Sequence, residues 1–181
     1  EADEQFVRAF CTQHNIPLKV KHFDVHQQCK QTGESIEMAA RTLRYHWFAE
    51  QGGYVCVAHH ADDQAETLLL HLIRGTGLRG LAGMAAERDH IWRPFLPIPR
   101  HVLMTYLREH GATFVEDSTN RDTHYRRNWV RHELLKKLQE VNPSVSTTLS
   151  ETAHHMRQAL SVYEVGLQHI ETLVEKSCQC E

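Results

Sequence analysis

Apolar positions recur along this chain at two periods, and the switches between them mark its elements. Residues 3–14 carry Phe6, Phe10 and His14 on one stripe at helical spacing, ended ahead of Ile16-Pro17 because a residue before proline avoids helical backbone. Residues 18–25 read as a strand. Ile36, Ala40, Leu43 and Trp47 step by four, three and four, which predicts a helix over 34–51 that Gly52-Gly53 stops. Tyr54-Val55-Cys56-Val57-Ala58 is a short strand of the buried type. A helix follows over 62–74, with Leu69, Leu70, Leu72 and Ile73 as its apolar side and Gly75-Thr76-Gly77 closing it. The order helix, strand, helix, strand, helix predicts an α/β fold, a parallel sheet with helical crossovers. Two parallel strands are too few for a sheet covered on both faces. The opening helix also has no strand before it, so the pattern points to a first strand missing upstream of Glu1.

Beyond that point the pattern becomes less regular. Pro94 and Pro97 argue against a central strand in 92–97. Residues 99–110 read as a short helix stopped at Gly111, 113–115 as a short extended piece, and 116–120 as a loop rich in turn and cap residues. Helical period resumes over 127–141 and ends at Asn142-Pro143. The tail is one long helix whose seam runs Leu149, Ala153, Met156, Leu160, Tyr163, Leu167, Ile170 and Val174. At about 1.5 Å per residue the seam spans roughly 39 Å. It suits packing on its own domain, connecting to a further one, or pairing with a second chain as a homodimer. These elements divide the chain into an incomplete α/β domain over 1–115 and a helical region over 116–181.

Composition narrows the class. With 181 residues, 41% hydrophobic and 24% charged, the chain is an ordinary globular protein with no apolar run of membrane length and no signal peptide at its start. Its five cysteines (Cys11, Cys29, Cys56, Cys178 and Cys180) follow no disulfide framework, which points to reduced thiols and a cytoplasmic setting. The net charge of −3 argues against a generic nucleic-acid binder. Locally the balance reverses. Arg121, Arg126, Arg127, Arg131, Lys136 and Lys137 stand against Asp122 and Glu133, a basic stretch that fits either a nucleic-acid contact or a solvated helix face.

Candidate chemistry concentrates at the second strand-to-helix turn, His59-His60-Ala61-Asp62-Asp63-Gln64-Ala65-Glu66-Thr67. Such turns are where α/β sheets place ligands. Asp62 reads as a helix cap. Asp63 and Glu66 lie three apart on one face with His59 across the turn, a set suited to Mg²⁺, an ammonium group or a nucleobase edge. His59 and His60 lack a third ligand at zinc spacing. On the preceding helix, Arg41 and Arg44 lie three apart with Tyr45 adjacent, a pairing that suits phosphate oxygens and a base.

Six blocks together resemble the tRNA(Ile)-lysidine synthetases, of the PP-loop ATP pyrophosphatase superfamily. They are Ala40-Arg41-Thr42-Leu43-Arg44-Tyr45, the 59–67 stretch, Arg74-Gly75-Thr76-Gly77-Leu78-Arg79-Gly80-Leu81, Arg93-Pro94-Phe95-Leu96, Glu116-Asp117-Ser118-Thr119-Asn120, and Arg127-Asn128-x-x-Arg131-His132. They occur in the family's order over about residues 35 to 145. The resemblance implies an adenine nucleotide alpha hydrolase-like fold and an ATP-dependent ligase. ATP, with Mg²⁺, would adenylate the C2 oxygen of the wobble cytidine in a tRNA(Ile) with a CAU anticodon. The amine of L-lysine would then displace AMP at C2. His59 and Asp63 match the family's functional histidine and aspartate, with Asp63 expected to orient or deprotonate the lysine amine. Arg41 or Arg44 would face the triphosphate or the adenylated base. Glu66, Arg127, Asn128 and Arg131 would contact the reacting nucleotide or tRNA phosphate. The family's Ser-Gly-Gly-x-Asp-Ser loop is not in the sequence, and neither are its carboxy-terminal tRNA-binding domains. The resemblance therefore implies a fragment inactive alone, with the Mg²⁺ ligands upstream. A sister class that thiolates tRNA is disfavoured, since its Cys-x-x-Cys is absent. A metal-dependent hydrolase built on His59, Asp63 and Glu66, and a non-catalytic helical interaction module built on 149–174, are the alternatives.

Overall fold

The computed structural model describes residues 2–115 and 126–178. The 116–120 loop, Arg121 and Cys180 lie outside the described residues, and so does the far side of the expected 115/116 boundary. Two compact units emerge. The first runs to Val55 and takes in the short segments at 89–91 and from Phe114. The second is built from Cys56–Arg88, Trp92–Thr113 and the chain from Arg126 onward.

The first unit holds α1 (Ala2–Gln13), α2 (Val25–Thr32) and α3 (Ile36–Glu50). Asp24 caps α2 by accepting from Gln27 N–H, and Ser35 caps α3 by accepting from Met38 N–H, which satisfies amides the helices cannot pair themselves. The strand expected over 18–25 does not form. Its first residues take no regular structure and have no ladder partner among the described residues, and Val25 opens α2 instead. A strand needs a neighbour to satisfy its backbone, and an alternating sequence does not supply one.

The strands are short. β1 (Val55–Cys56), β2 (Glu87–Arg88) and β3 (Ile91–Trp92) form a three-stranded sheet with β3 in the middle. Val55 N–H donates to His90 C=O at 2.8 Å and Val57 N–H to Trp92 C=O at 2.9 Å, a register that rises in parallel. The β1-to-β3 connection contains α4 (Ala61–Arg74) and α5 (Leu78–Leu81), so the expected helical crossover is present. β2 turns back on β3 at Asp89, whose φ is +56°, so the small sheet is mixed. The prolines do not keep Trp92 out of a central strand. The strand ends before Pro94, and the ladder's last amide, Arg93 N–H, pairs with Ala86 C=O at 2.7 Å.

Helices fill the rest of the second unit. α6 spans Arg100–Glu109. α7 (Arg126–Trp129), a π-helical segment (Val130–Leu134) and α8 (Leu135–Val141) form one continuous rod, followed by the 34-residue α9 (Val145–Cys178). Ala65 and Leu69 of α4 meet Val130, Leu135 and Val145 in a core flanked by Leu70, Leu134, Leu138 and Leu149. Burying each large aliphatic side chain here is worth roughly 1.5–3 kcal/mol. The expected 149–174 seam divides in two. Ala153 is fully buried and α9 packs on α4 and α5, whereas every side chain over 161–175 is exposed. No described helix is long and apolar enough to cross a membrane.

The turn after α4 is a close fit. Gly75 takes φ +75°, backbone that favours glycine. A Cβ on Gly80 would lie 1.8 Å from Thr76 Oγ1 and 2.9 Å from Thr76 Cβ, so rotating the hydroxyl away does not make room. We expect Gly80→Ala to lower stability in urea unfolding by about 1–3 kcal/mol, as overpacking does. Adding Thr76→Gly should return part of that loss. Wild-type stability for Gly80→Ala would contradict this packing.

Candidate active site

The first turn of α4 is closed by its own side chains. His60 is the cap residue. Its Nδ1 accepts from Asp63 N–H at 3.4 Å, and Asp63 Oδ2 accepts from His60 N–H at 3.0 Å. This reciprocal pair satisfies two amides that a helix start leaves open. Asp62 is therefore not the cap. The helix begins one residue before the expected start, which puts Asp62 inside the first turn, where its Oδ2 accepts from Arg100 N–H at 3.3 Å. His60 Nδ1 also lies 3.3 Å from Asp63 Oδ2. A nitrogen that accepts a backbone N–H has its lone pair engaged, so this approach belongs to the cap and is not an ion pair.

Asp63 and Glu66 then meet two arginines that lie more than sixty residues further along the chain. Glu66 is fully buried. Its Oε2 accepts from Arg127 Nε at 2.7 Å and Arg131 Nη2 at 3.1 Å, and its Oε1 from Arg131 Nε at 2.5 Å. Asp63 Oδ1 accepts from Arg127 Nη2 at 3.0 Å and Arg131 Nη2 at 3.2 Å. Two carboxylates thus face two guanidiniums, and the formal charge of the four cancels. Arg127 and Arg131 are four apart across the junction of α7 with the π-helical segment. There Leu135 N–H reaches back to Val130 C=O, one residue further than in an α-helix. The basic stretch is correspondingly weaker than its sequence suggests, because two of its arginines spend their charge on α4. Arg126, Lys136 and Lys137 remain exposed.

A second network stands beside the first. Gln64, almost wholly buried, accepts from Met84 N–H at 2.8 Å and donates to Met84 C=O at 3.0 Å. Arg93, buried on the segment after β3, donates through Nη1 to Ala85 C=O at 2.9 Å and through Nε to His59 Nδ1 at 3.2 Å. Arg157 of α9 donates to the carbonyls of Ala82 and Met84. Burial, with Arg93 close by, lowers its pKa from the usual arginine value.

The structure thus brings Asp63, Glu66, Arg127 and Arg131 into one cluster, with His59 one residue ahead of the cap and Asn128 half-buried beside Arg127. Arg41 and Arg44 are exposed on α3, in the first unit. The neighbour of Tyr45 is Arg41, whose guanidinium sits 4.7 Å over the ring. Among the described residues no group of three His, Cys, Asp or Glu is arranged to hold a metal ion. Asp63 and Glu66 are already neutralised, so they do not fit a Mg²⁺ site in this arrangement. Sequence reasoning gave no role to Gln64, Arg93 or Arg157. Arg93 carried a usable signal, a charge inside the apolar run Ile91-Trp92-Arg93-Pro94-Phe95-Leu96. Polar residues in such runs are buried with partners.

Breaking a buried ion pair on one side typically costs roughly 3–5 kcal/mol. Arg127 and Arg131 keep about a third of their side-chain exposure, which softens that penalty. Glu66→Gln should therefore cost about 2–3 kcal/mol in chemical unfolding. A change under about 0.5 kcal/mol, the usual scale for surface sites, would show that the cluster does not hold α4 to α7.

Comparison with known proteins fits this arrangement. A family model described as a PP-loop domain matches residues 1–138. The tRNA(Ile)-lysidine synthase of Bacteroides thetaiotaomicron is 43% identical over 177 residues, covering 95% of this chain and 42% of that protein. The protein of the same name from Porphyromonas gingivalis strain W83 is 42% identical over 169 residues, covering 90% and 37% respectively. That of Chromobacterium violaceum is 39% identical over 163 residues, covering 87% and 37%. The chain spans about two fifths of the length of the curated relatives it matches. With the family model covering most of its length, the chain belongs to the PP-loop domain family.

Proposed function

We propose that this chain carries part of the active site of an ATP-dependent ligase that attaches L-lysine to C2 of the wobble cytidine in tRNA(Ile) with a CAU anticodon. The observation that carries this reading is identity near 40% over about nine tenths of the chain to proteins named tRNA(Ile)-lysidine synthase. In the proposed sequence ATP adenylates the C2 oxygen and pyrophosphate leaves. The lysine amine then bonds to C2, AMP departs, and the amine gives up a proton. The setting is the cytoplasm, where tRNA and free lysine meet.

The geometry supports a division of labour. Glu66 is buried under both guanidiniums, so its part is to aim Arg127 and Arg131 at phosphate or the reacting nucleotide. Bidentate guanidinium contacts suit such oxygens. Asn128 is carried on the same helix. Asp63 holds three N–H donors, one on Oδ2 and two on Oδ1. Its part is thus to orient the lysine ammonium by exchanging a guanidinium for it, rather than to act as a base. Arg41 or Arg44 faces the triphosphate or the adenylated base. Mg²⁺ accompanies ATP. No observation favours the metal-dependent hydrolase or the interaction module.

Asp63→Asn in the complete gene product tests the role of Asp63. Lysidine formed per tRNA should fall by at least about 100-fold, the scale of a misplaced reacting group, with the fold retained. A yield close to wild type would remove Asp63 from the reaction.

A further inference from the structure

Arg93 is 5% exposed and its guanidinium is committed at both ends, to Ala85 C=O and to His59 Nδ1. A guanidinium presents N–H donors only, accepts nothing, and keeps its proton in proteins. The nitrogen it meets at 3.2 Å must therefore offer a lone pair. A neutral imidazole whose Nδ1 is a lone pair carries its hydrogen on Nε2. Protonating Nδ1 would set two donors face to face.

Arg93 is also held in place. Its carbonyl partner lies in the 82–86 loop. Gln64 pins that loop at both the N–H and C=O of Met84, and Arg157 pins it at Ala82 and Met84. Gly83 within this loop takes φ +59°, and a Cβ there would lie 2.8 Å from Gln64 Oε1, so the loop and Gln64 fit without slack. The half-buried Arg157 adds positive charge to the same region. A contrasting histidine stands nearby in the chain. His71 Nδ1 lies 2.7 Å from Gly80 C=O, and a carbonyl only accepts, so His71 carries its hydrogen on Nδ1.

We propose that Arg93 is a positioning residue that fixes His59 as a neutral imidazole protonated at Nε2, so that His59 serves as a hydrogen-bond donor and not as a base. The tautomer stands on the geometry alone. Its use in catalysis rests on the function proposed above. There, an Nε2–H donates to an anionic oxygen, on a phosphate or the departing adenylate, and takes no proton. The proton released by the lysine amine passes to water.

Two measurements on the complete gene product separate these claims. The first is long-range ¹H–¹⁵N correlation of histidine-labelled protein near neutral pH. The His59 signals are assigned by their loss in His59→Gln, and His71 is the internal reference. His59 should show an unprotonated Nδ1 and a protonated Nε2, the reverse of His71. Arg93→Met should convert His59 to a mixture of tautomers. A protonated Nδ1 in the wild type, or a His59 spectrum unchanged by Arg93→Met, overturns the proposal whether or not the protein makes lysidine. The second is turnover. His59→Ala should lose roughly 100-fold, the scale of one transition-state donor. His59→Gln, which keeps an N–H in a similar place, should stay within about tenfold of wild type. Equal losses in the two variants would overturn the donor role and leave the tautomer to the first measurement.

Discussion

A carboxylate with no exposed surface must be neutralised, and Glu66 is such a group. Leaving one ion unpaired in a protein interior costs several kcal/mol, so the fold is constrained to bring cations to it. They come from Arg127 and Arg131, more than sixty residues away in sequence. That requirement sets which face of the 126–141 rod meets α4. It also sets where the apolar partners fall, because Val130 and Leu135 of the same rod enter the core against Ala65 and Leu69. The ionic cluster and the apolar core are two consequences of one helix pairing.

The other network extends the same logic toward the β1–α4 turn. Gln64 lies between Asp63 and Glu66 in sequence, yet it faces the 82–86 loop, and through that loop Arg93 and Arg157 are fixed. One turn of helix therefore serves two polar systems, with carboxylates toward the arginines of α7 and the π-helical segment, and an amide toward the loop. Such density of buried polar groups has little tolerance for partial satisfaction. It also gives two histidines in this part of the chain opposite proton placements for purely local reasons.

Much of this was legible in the sequence. The stepping of Ile36, Ala40, Leu43 and Trp47 yielded α3, and the glycines after Arg74 closed α4 where expected. The spacing of Asp63 and Glu66 and the family resemblance of Arg127 and Arg131 picked out every member of the ionic cluster, although not that they bind one another. Pairing across sixty residues leaves no local periodic trace. Residues 18–25 failed as a strand because a strand is decided by its neighbour and not by its own alternation. Asp62 failed as a cap because the His60 imidazole does the work usually given to Ser, Thr, Asp or Asn. The π-helical segment has no sequence signature that hydrophobic period detects, since it shifts the frame by one residue within an unbroken helix.

The arrangement gives a consistent chemical picture for a member of the PP-loop domain family. In the proposed function, oriented guanidiniums await phosphate or nucleotide, a carboxylate exchanges one of them for an ammonium, and a neutral imidazole donates. The most direct test of the central claim uses the complete gene product with ATP, labelled L-lysine and tRNA(Ile) bearing a CAU anticodon. The account predicts one lysine joined to each tRNA at the wobble cytidine, with AMP and pyrophosphate released in equal amount. AMP and pyrophosphate released with no lysine joined to the tRNA would contradict it.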